Sequence, residues 1–132
     1  MAKIWSKEYK VVKMTWDFAD QGGAVGTIAL GDLPSNFVVQ KMDIYCETAP
    51  VGGGTITVGD AGDTDGYHGD MDALSAATLT RASGALIYDS TDDHDISYVV
   101  PAADDGVVLE IATTAYTAGK IHFYFTGFQL DE

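Results

Sequence analysis

Five aspartates, Asp60, Asp63, Asp65, Asp70 and Asp72, fall within thirteen residues around Gly66, in the stretch GDAGDTDGYHGDMD. Carboxylate oxygens at this density are the donors that calcium takes, and an EF-hand loop needs them at positions 1, 3, 5 and 12 with glycine at 6. With Gly66 sixth, Asp63 and Asp65 fall third and fifth and Asp72 twelfth. The first position is then Ala61, which has no oxygen to offer, and Asp72 is shorter than the usual bidentate Glu. The preceding segment, Thr55–Val58, alternates as a strand and not as a helix. The EF-hand reading therefore fails at its first ligand, and no metal is assigned. The stretch is expected to be a long acidic turn on the surface, with a cation site of another kind left open.

Other chemistry is weaker still. Acidic residues are plentiful, but a glycosidase pair needs a fixed separation across a cleft, and nothing singles out two of them. His68, His94 and His122 are scattered over two loops and a strand face, which is poor spacing for zinc. Cys46 falls on the apolar side of a strand, so it is expected as an inert buried thiol. Gly52–Gly54 precede a strand and not the helix N-terminus that cradles phosphate. No nucleophile motif stands out, so no catalytic residue and no cofactor are assigned. Tyr45, Tyr67, Tyr88, Tyr98, Tyr116 and Tyr124 offer rings for sugar or protein contacts, or fill the rim of a core.

The elements that would carry these residues are strands. Val12, Met14, Trp16 and Phe18 alternate with Lys13, Thr15 and Asp17, and a turn follows at Asp20–Gly23. TIAL (Thr27–Leu30) is a second strand. In Phe37–Thr48, Val38, Met42, Ile44 and Cys46 face one way and Lys41, Asp43, Tyr45 and Glu47 the other. Pro50 and Gly52–Gly54 end that strand. Thr55–Gly59, Ala85–Tyr88, Ile96–Val100 and Val107–Thr113 are short strands, and TAYTAG is a turn. Lys120–Leu130 closes the chain with Ile121, Phe123 and Phe125 on one face. Its pattern shifts at Gly127, where a bulge would return Phe128 and Leu130 to the core. Only Met71–Ser83 lacks the period of two, and one or two helical turns through Leu74 and Ala77 are expected there. About eight strands at this spacing predict an all-β, antiparallel β-sandwich, jelly-roll-like, with one short helical segment.

A chain of 132 residues with 46% hydrophobic and 20% charged side chains folds as one domain. No apolar run approaches the ~20 residues of a membrane helix, so no membrane partner is expected. One cysteine excludes an internal disulfide. The leading MAKIWSKEYK lacks the apolar core of a signal peptide, and use in the cytoplasm where the chain is made is expected. The formal charge of −13 argues against nucleic-acid binding, which needs clustered Lys and Arg. That charge is uneven. Lys3, Lys7, Lys10 and Lys13 against Glu8 make the first thirteen residues +3, leaving −16 on the rest. The chain thus divides into a basic arm, residues 1–10, and a domain, residues 11–132. In the arm, Ile4 and Trp5 set among Lys7 and Lys10 suit an anchor guided by charge.

GDLPSNFVVQKMDIYCETA, GGGTITVGDAGDTDGY and TAYTAGKIHFYFTGFQL together resemble the capsid decoration, or cement, proteins of tailed bacteriophages, over most of residues 26–130. The resemblance implies a jelly-roll-like structural protein on the outer surface of a virion head, made in the bacterial host and bridging subunits of the major capsid protein. It implies no enzymatic activity. Ile4, Trp5, Lys7 and Lys10 are then the expected capsid contact. A homo-oligomer, dimer or trimer, is expected through the outward apolar positions Val108, Phe128 and Leu130. Small phage tail proteins share the same texture, so the alternative is a tail or fibre-associated module binding a host glycan through exposed tyrosines.

Overall fold

Val107, Leu109 and Ile111 alternate with Val108, Glu110 and Ala112, and burial alternates with them along a strand at Gly106–Ala112. The same period of two recurs through the chain, so most of it pairs into sheets. The computed structural model describes residues 9–60, 62–68, 76–81, 98–100 and 106–130. The strands are β1 (Lys10–Asp17), β2 (Gly26–Asp32), β3 (Phe37–Gly52), β4 (Thr55–Asp60), β5 (Asp63–His68), β6 (Thr78–Arg81), β7 (Tyr98–Val99), β8 (Gly106–Ala112) and β9 (Tyr116–Gln129).

One sheet runs β1-β9-β3-β6, with β7 also on β3, and the other runs β2-β8-β4-β5. Every pairing is antiparallel. Set side by side, the two orders match β1 with β2, β9 with β8, β3 with β4 and β6 with β5. Each match joins neighbours in sequence, so the chain crosses repeatedly from sheet to sheet. This is an antiparallel β-sandwich, as the strand spacing predicted. β6 pairs with β3 at Asp43–Cys46 and β7 at Val38–Val39, so the two lie end to end along one edge of β3.

Between the sheets lies one core, built from Met14, Trp16, Phe37, Val39, Met42, Ile44 and Cys46 with Ile56, Val58, Leu109, Ile111, Ile121, Phe123 and Phe125. Each such side chain contributes about 1.5–3 kcal/mol of burial. Trp16 is its largest member. The indole Nε1–H donates to the Gly22 carbonyl at 2.9 Å, and the ring meets Tyr116 edge-on at 6.3 Å.

Four local expectations change. The one helix among the described residues is α1 (Phe18–Gln21). Asp17 caps it by accepting from the Ala19 N–H at 3.0 Å, while the Gln21 amide oxygen accepts from the Asp17 N–H at 2.7 Å. That reciprocal pair stops β1 one residue before Phe18. Within the expected helix, residues 76–77 are a turn and Thr78–Arg81 is β6, drawn out along the edge of β3; residues 71–75 and 82–83 lie outside the described residues. Nor do the described residues of the acidic stretch form one long turn. Asp60 pairs with Asp63 and β5 follows at once, because β4 has an edge to fill. The Asp60 carboxylate accepts from the Gly62 N–H at 2.9 Å and closes this hairpin.

β3 also runs further than expected, through Pro50 to Gly52. Its register slips between Thr48 and Val51, where Pro50 has no N–H to give the ladder. It pairs with Tyr116–Ala118, so the TAYTAG turn shrinks to residues 113–115, with Thr113 at φ 76°. The last change concerns the bulge near Gly127. β9 runs unbroken past Gly127 against β1, while opposite it the register of β3 skips Gln40. Phe37 and Val39 therefore enter the core, and Val38 faces Phe128 on the outer side. The expected strands at Ala85–Tyr88 and residues 96–97 lie outside the described residues.

The glycines Gly52 and Gly54 are steric requirements. A Cβ at Gly52 would stand 2.7 Å from the Tyr116 ring, and one at Gly54 would stand 2.3 Å from the carbonyl oxygens of Ala112 and Thr114. Tyr116 is buried beside them and donates its hydroxyl to the Gly54 carbonyl.

Candidate functional site

The register of β1-β9-β3 fixes what stands on the outer face of the five-stranded sheet. Reading across, Val11, Thr126 and Lys41 form one row, then Lys13, Tyr124 and Asp43, then Thr15, His122 and Tyr45. Asp17 and Lys120 follow, with Glu47 beside them. The alternation places all of these but Val11 outward, strand by strand.

At the centre, His122 is buried despite facing out. Its Nε2 meets Glu47 Oε1 at 2.7 Å, its Nδ1 meets the Thr15 hydroxyl at 2.9 Å, and Tyr45 stacks on the ring at 6.1 Å. With the proton on Nε2, the imidazole donates to Glu47 and accepts from Thr15; a protonated ring donates to both. Lys120 sits 3.8 Å from Asp17 and 3.6 Å from Glu47. The network holds three strands in register across the sheet.

The hydrogen bond from His122 comes first among the causes that hold the Glu47 carboxyl below its ordinary value, and the Lys120 charge also lowers it. A depressed carboxyl keeps its contribution above the ordinary carboxylate range and loses it as pH falls through the lowered value. Replacing His122 with Ala should therefore raise the Glu47 titration midpoint toward the ordinary value, as read by side-chain carboxyl NMR. An unmoved midpoint would contradict the hydrogen-bond assignment.

Toward the other end of β1, the face turns apolar. Tyr9 meets Phe128 with ring centroids 5.9 Å apart, Val38 lies opposite Phe128, and Val11 and Leu130 are exposed nearby. Lys10 reaches the Gln129 amide oxygen at 3.3 Å, and Lys13 stands 5.9 Å from the centre of the Tyr124 ring. Of the expected contact residues, Lys10, Phe128 and Leu130 thus come together at one edge. Val108 does not join them. It faces out from the four-stranded sheet, beside Ala29 and Gly59. Ile4, Trp5 and Lys7 lie outside the described residues.

The metal and thiol readings resolve at separate places. Asp60 is buried at its hairpin and Asp65 is exposed on β5, while Asp70 and Asp72 lie outside the described residues. No group of three or more His, Cys, Asp or Glu able to hold a metal occurs among the described residues. His68 stands on β5 opposite Val58, and His94 lies outside the described residues. Tyr67 and Tyr116 are core residues, Tyr45 and Tyr124 stand on the outer face, and the side chains of Tyr88 and Tyr98 lie outside the described residues. Cys46 is fully buried, its Sγ lies 3.4 Å from the Thr48 carbonyl, and burial raises its thiol pKa. It should stay unmodified by a thiol reagent in the native protein and react only on unfolding; reaction at the native rate of a free thiol would show β3 opening at that point.

Known proteins match this chain by fold. No protein family and no curated protein matches it in sequence. A chain of the cyanophage Pam1 capsid asymmetric unit is similar with a TM-score of 0.64 at 16% identity, over 98% of this chain and 91% of that one. A chain of the acidic stable capsid structure of Helicobacter pylori bacteriophage KHP30 is similar with a TM-score of 0.62 at 16% identity, over 93% and 90%. The sandwich is therefore a fold found in two phage capsid structures.

Proposed function

We propose that this chain is a structural virion protein, a decoration or cement protein that binds the outer surface of a phage head and bridges subunits of the major capsid protein. The observation that carries this is the end-to-end fold match. Both capsid chains are matched over at least 90% of their length by a chain of 132 residues. The partners in the comparison are thus small, separate chains and not domains of a long polypeptide. The charge of −13 supports a place on the outside, away from packaged DNA. A protein that binds the assembled shell and not its free subunits stabilises the shell by mass action. On this reading the arm with Ile4, Trp5, Lys7 and Lys10 ties the domain down. Copies associate as a dimer or trimer, but not through one patch of Val108, Phe128 and Leu130, since Val108 stands on the other sheet from the last two.

The test is to add the protein to heads assembled without it. Density on the outer head surface by cryo-electron microscopy and a higher melting temperature of the heads are expected. Removing residues 1–8 should leave the circular dichroism unchanged and weaken head binding about tenfold or more. Density confined to the tail would replace this reading with the tail or fibre module, and truncation without effect on binding would remove the arm from the contact.

A further inference from the structure

The two sheets of this sandwich are chemically unlike, in two independent ways. The first is charge. All seven Lys and Arg residues of the chain fall in the leading segment or in strands of the five-stranded sheet: Lys3 and Lys7 precede β1, Lys10 and Lys13 are in it, and Lys41, Arg81 and Lys120 are in β3, β6 and β9. The four-stranded sheet holds none, and its strands carry Asp32, Asp60, Asp63, Asp65 and Glu110. The second is exposed apolar surface. Tyr9, Val11, Val51, Leu79 and Leu130 are large, exposed, and in or next to strands of the five-stranded sheet; of the large exposed hydrophobics described, only Val25 lies elsewhere, in the link before β2.

We infer that the outer face of the five-stranded sheet, at the Tyr9–Val11–Phe128–Leu130 patch flanked by Lys13 on that face and by Lys10 at its rim, is the surface that docks on an acidic protein surface, with the four-stranded sheet turned away. The inference rests on the head-binding reading for the identity of that surface, an acidic patch on the capsid shell. An apolar centre with charged groups at its margin is the usual anatomy of a protein contact. Of the other cations whose side chains are described on this face, Lys41 pairs with Asp43 at 3.5 Å, and Lys120 with Asp17 and Glu47. Lys10 and Lys13 meet an amide and an aromatic ring and no carboxylate among the described residues. Among the described side chains of this sheet, they are the charges left over for a partner. A second copy docking by the same face would set these lysines against themselves, and like charges at a contact are unfavourable. A carboxylate-bearing surface satisfies them, and it repels the four-stranded sheet.

Binding to heads assembled without the protein decides the matter. Lys10→Glu with Lys13→Glu should weaken binding about tenfold or more and flatten its dependence on salt. Thr27→Lys, which adds a cation to the exposed face of the four-stranded sheet, should leave binding unchanged. Leu130→Ser probes the apolar centre by itself, in case the charge-reversed chain fails to fold, and should also weaken binding. If the wild type binds and both Lys10→Glu with Lys13→Glu and Leu130→Ser bind as well, or if Thr27→Lys tightens binding, the face assignment is overturned alone. If the wild type fails to bind heads at all, the decoration reading falls and takes this assignment with it.

Discussion

Replacing Trp16 with Ala is expected to cost about 3–5 kcal/mol of folding stability, the usual toll for a buried aromatic. Trp16 has no solvent exposure and meets the Tyr116 ring of the neighbouring strand β9 edge-on. It also packs so closely on Gly119 that a Cβ there would lie 2.6 Å from the indole ring. Gly52 leaves equally little room against the Tyr116 ring, so the surroundings cannot collapse to fill the hole. The Gly22 carbonyl loses its indole donor as well. Against a total of about 5–15 kcal/mol for an ordinary domain, this removes a large share. The melting temperature should drop by about 10–20 °C. Trp16→Phe separates the two contributions: it keeps most of the ring and loses the hydrogen bond, worth about 1 kcal/mol. Urea melts of both variants measure this, and a loss under about 1 kcal/mol for Trp16→Ala would refute the tight-packing account.

The alternation of residue types made much of this core legible. Met14 and Trp16, then Met42, Ile44 and Cys46, Ile56 and Val58, Val107, Leu109 and Ile111, and Ile121, Phe123 and Phe125 all face inward as their spacing requires. It misled where the ladder is irregular. Val38 has the same parity as Met42, but the skipped Gln40 puts it on the other face. The acidic stretch misled for a different reason. Asp, Gly and Thr favour turns by composition, yet Asp63–His68 form a strand because β4 presents an open edge. Propensity is a local quantity, and this strand is made by a partner.

The outer face was half legible. Thr15, His122, Tyr45 and Glu47 each read as outward on its own strand, but their convergence depends on β9 lying between β1 and β3. Those strands are far apart in the chain, and a period of two carries no information about which strand comes next in a sheet. The same gap hid the separation of Val108 from Phe128 and Leu130. Once the order is known, the charge map follows from the sequence alone, since it needs only the sheet to which each Lys or Arg belongs.

Gly127 is where fold and contact surface meet, and Gly127→Ala should disturb both. Gly127 stands opposite Lys10 of β1 and Val39 of β3, at the skipped residue of the ladder. A Cβ there would lie 1.8 Å from the Val38 carbonyl oxygen and 3.3 Å from the Phe37 ring. The first obstacle is backbone, so no side-chain rotation relieves it, and β3 must move away from β9. The expected cost is about 3 kcal/mol. Because Phe128 is the next residue, the shift should also pull its ring from Tyr9 and weaken the contact between them, which nuclear Overhauser effects between the two rings would report. Gly53→Ala is the matched control: its Cβ would meet only Thr114, at 3.9 Å. Its melting temperature should stay within about 2 °C of the parent, corresponding to a surface change under about 0.5 kcal/mol. Equal losses in the two variants would show that chain stiffening, and not the collision with Val38, sets the requirement for glycine. A destabilised Gly127→Ala that keeps the Tyr9–Phe128 contact would show instead that the apolar patch is held by β1, independently of the ladder beneath it.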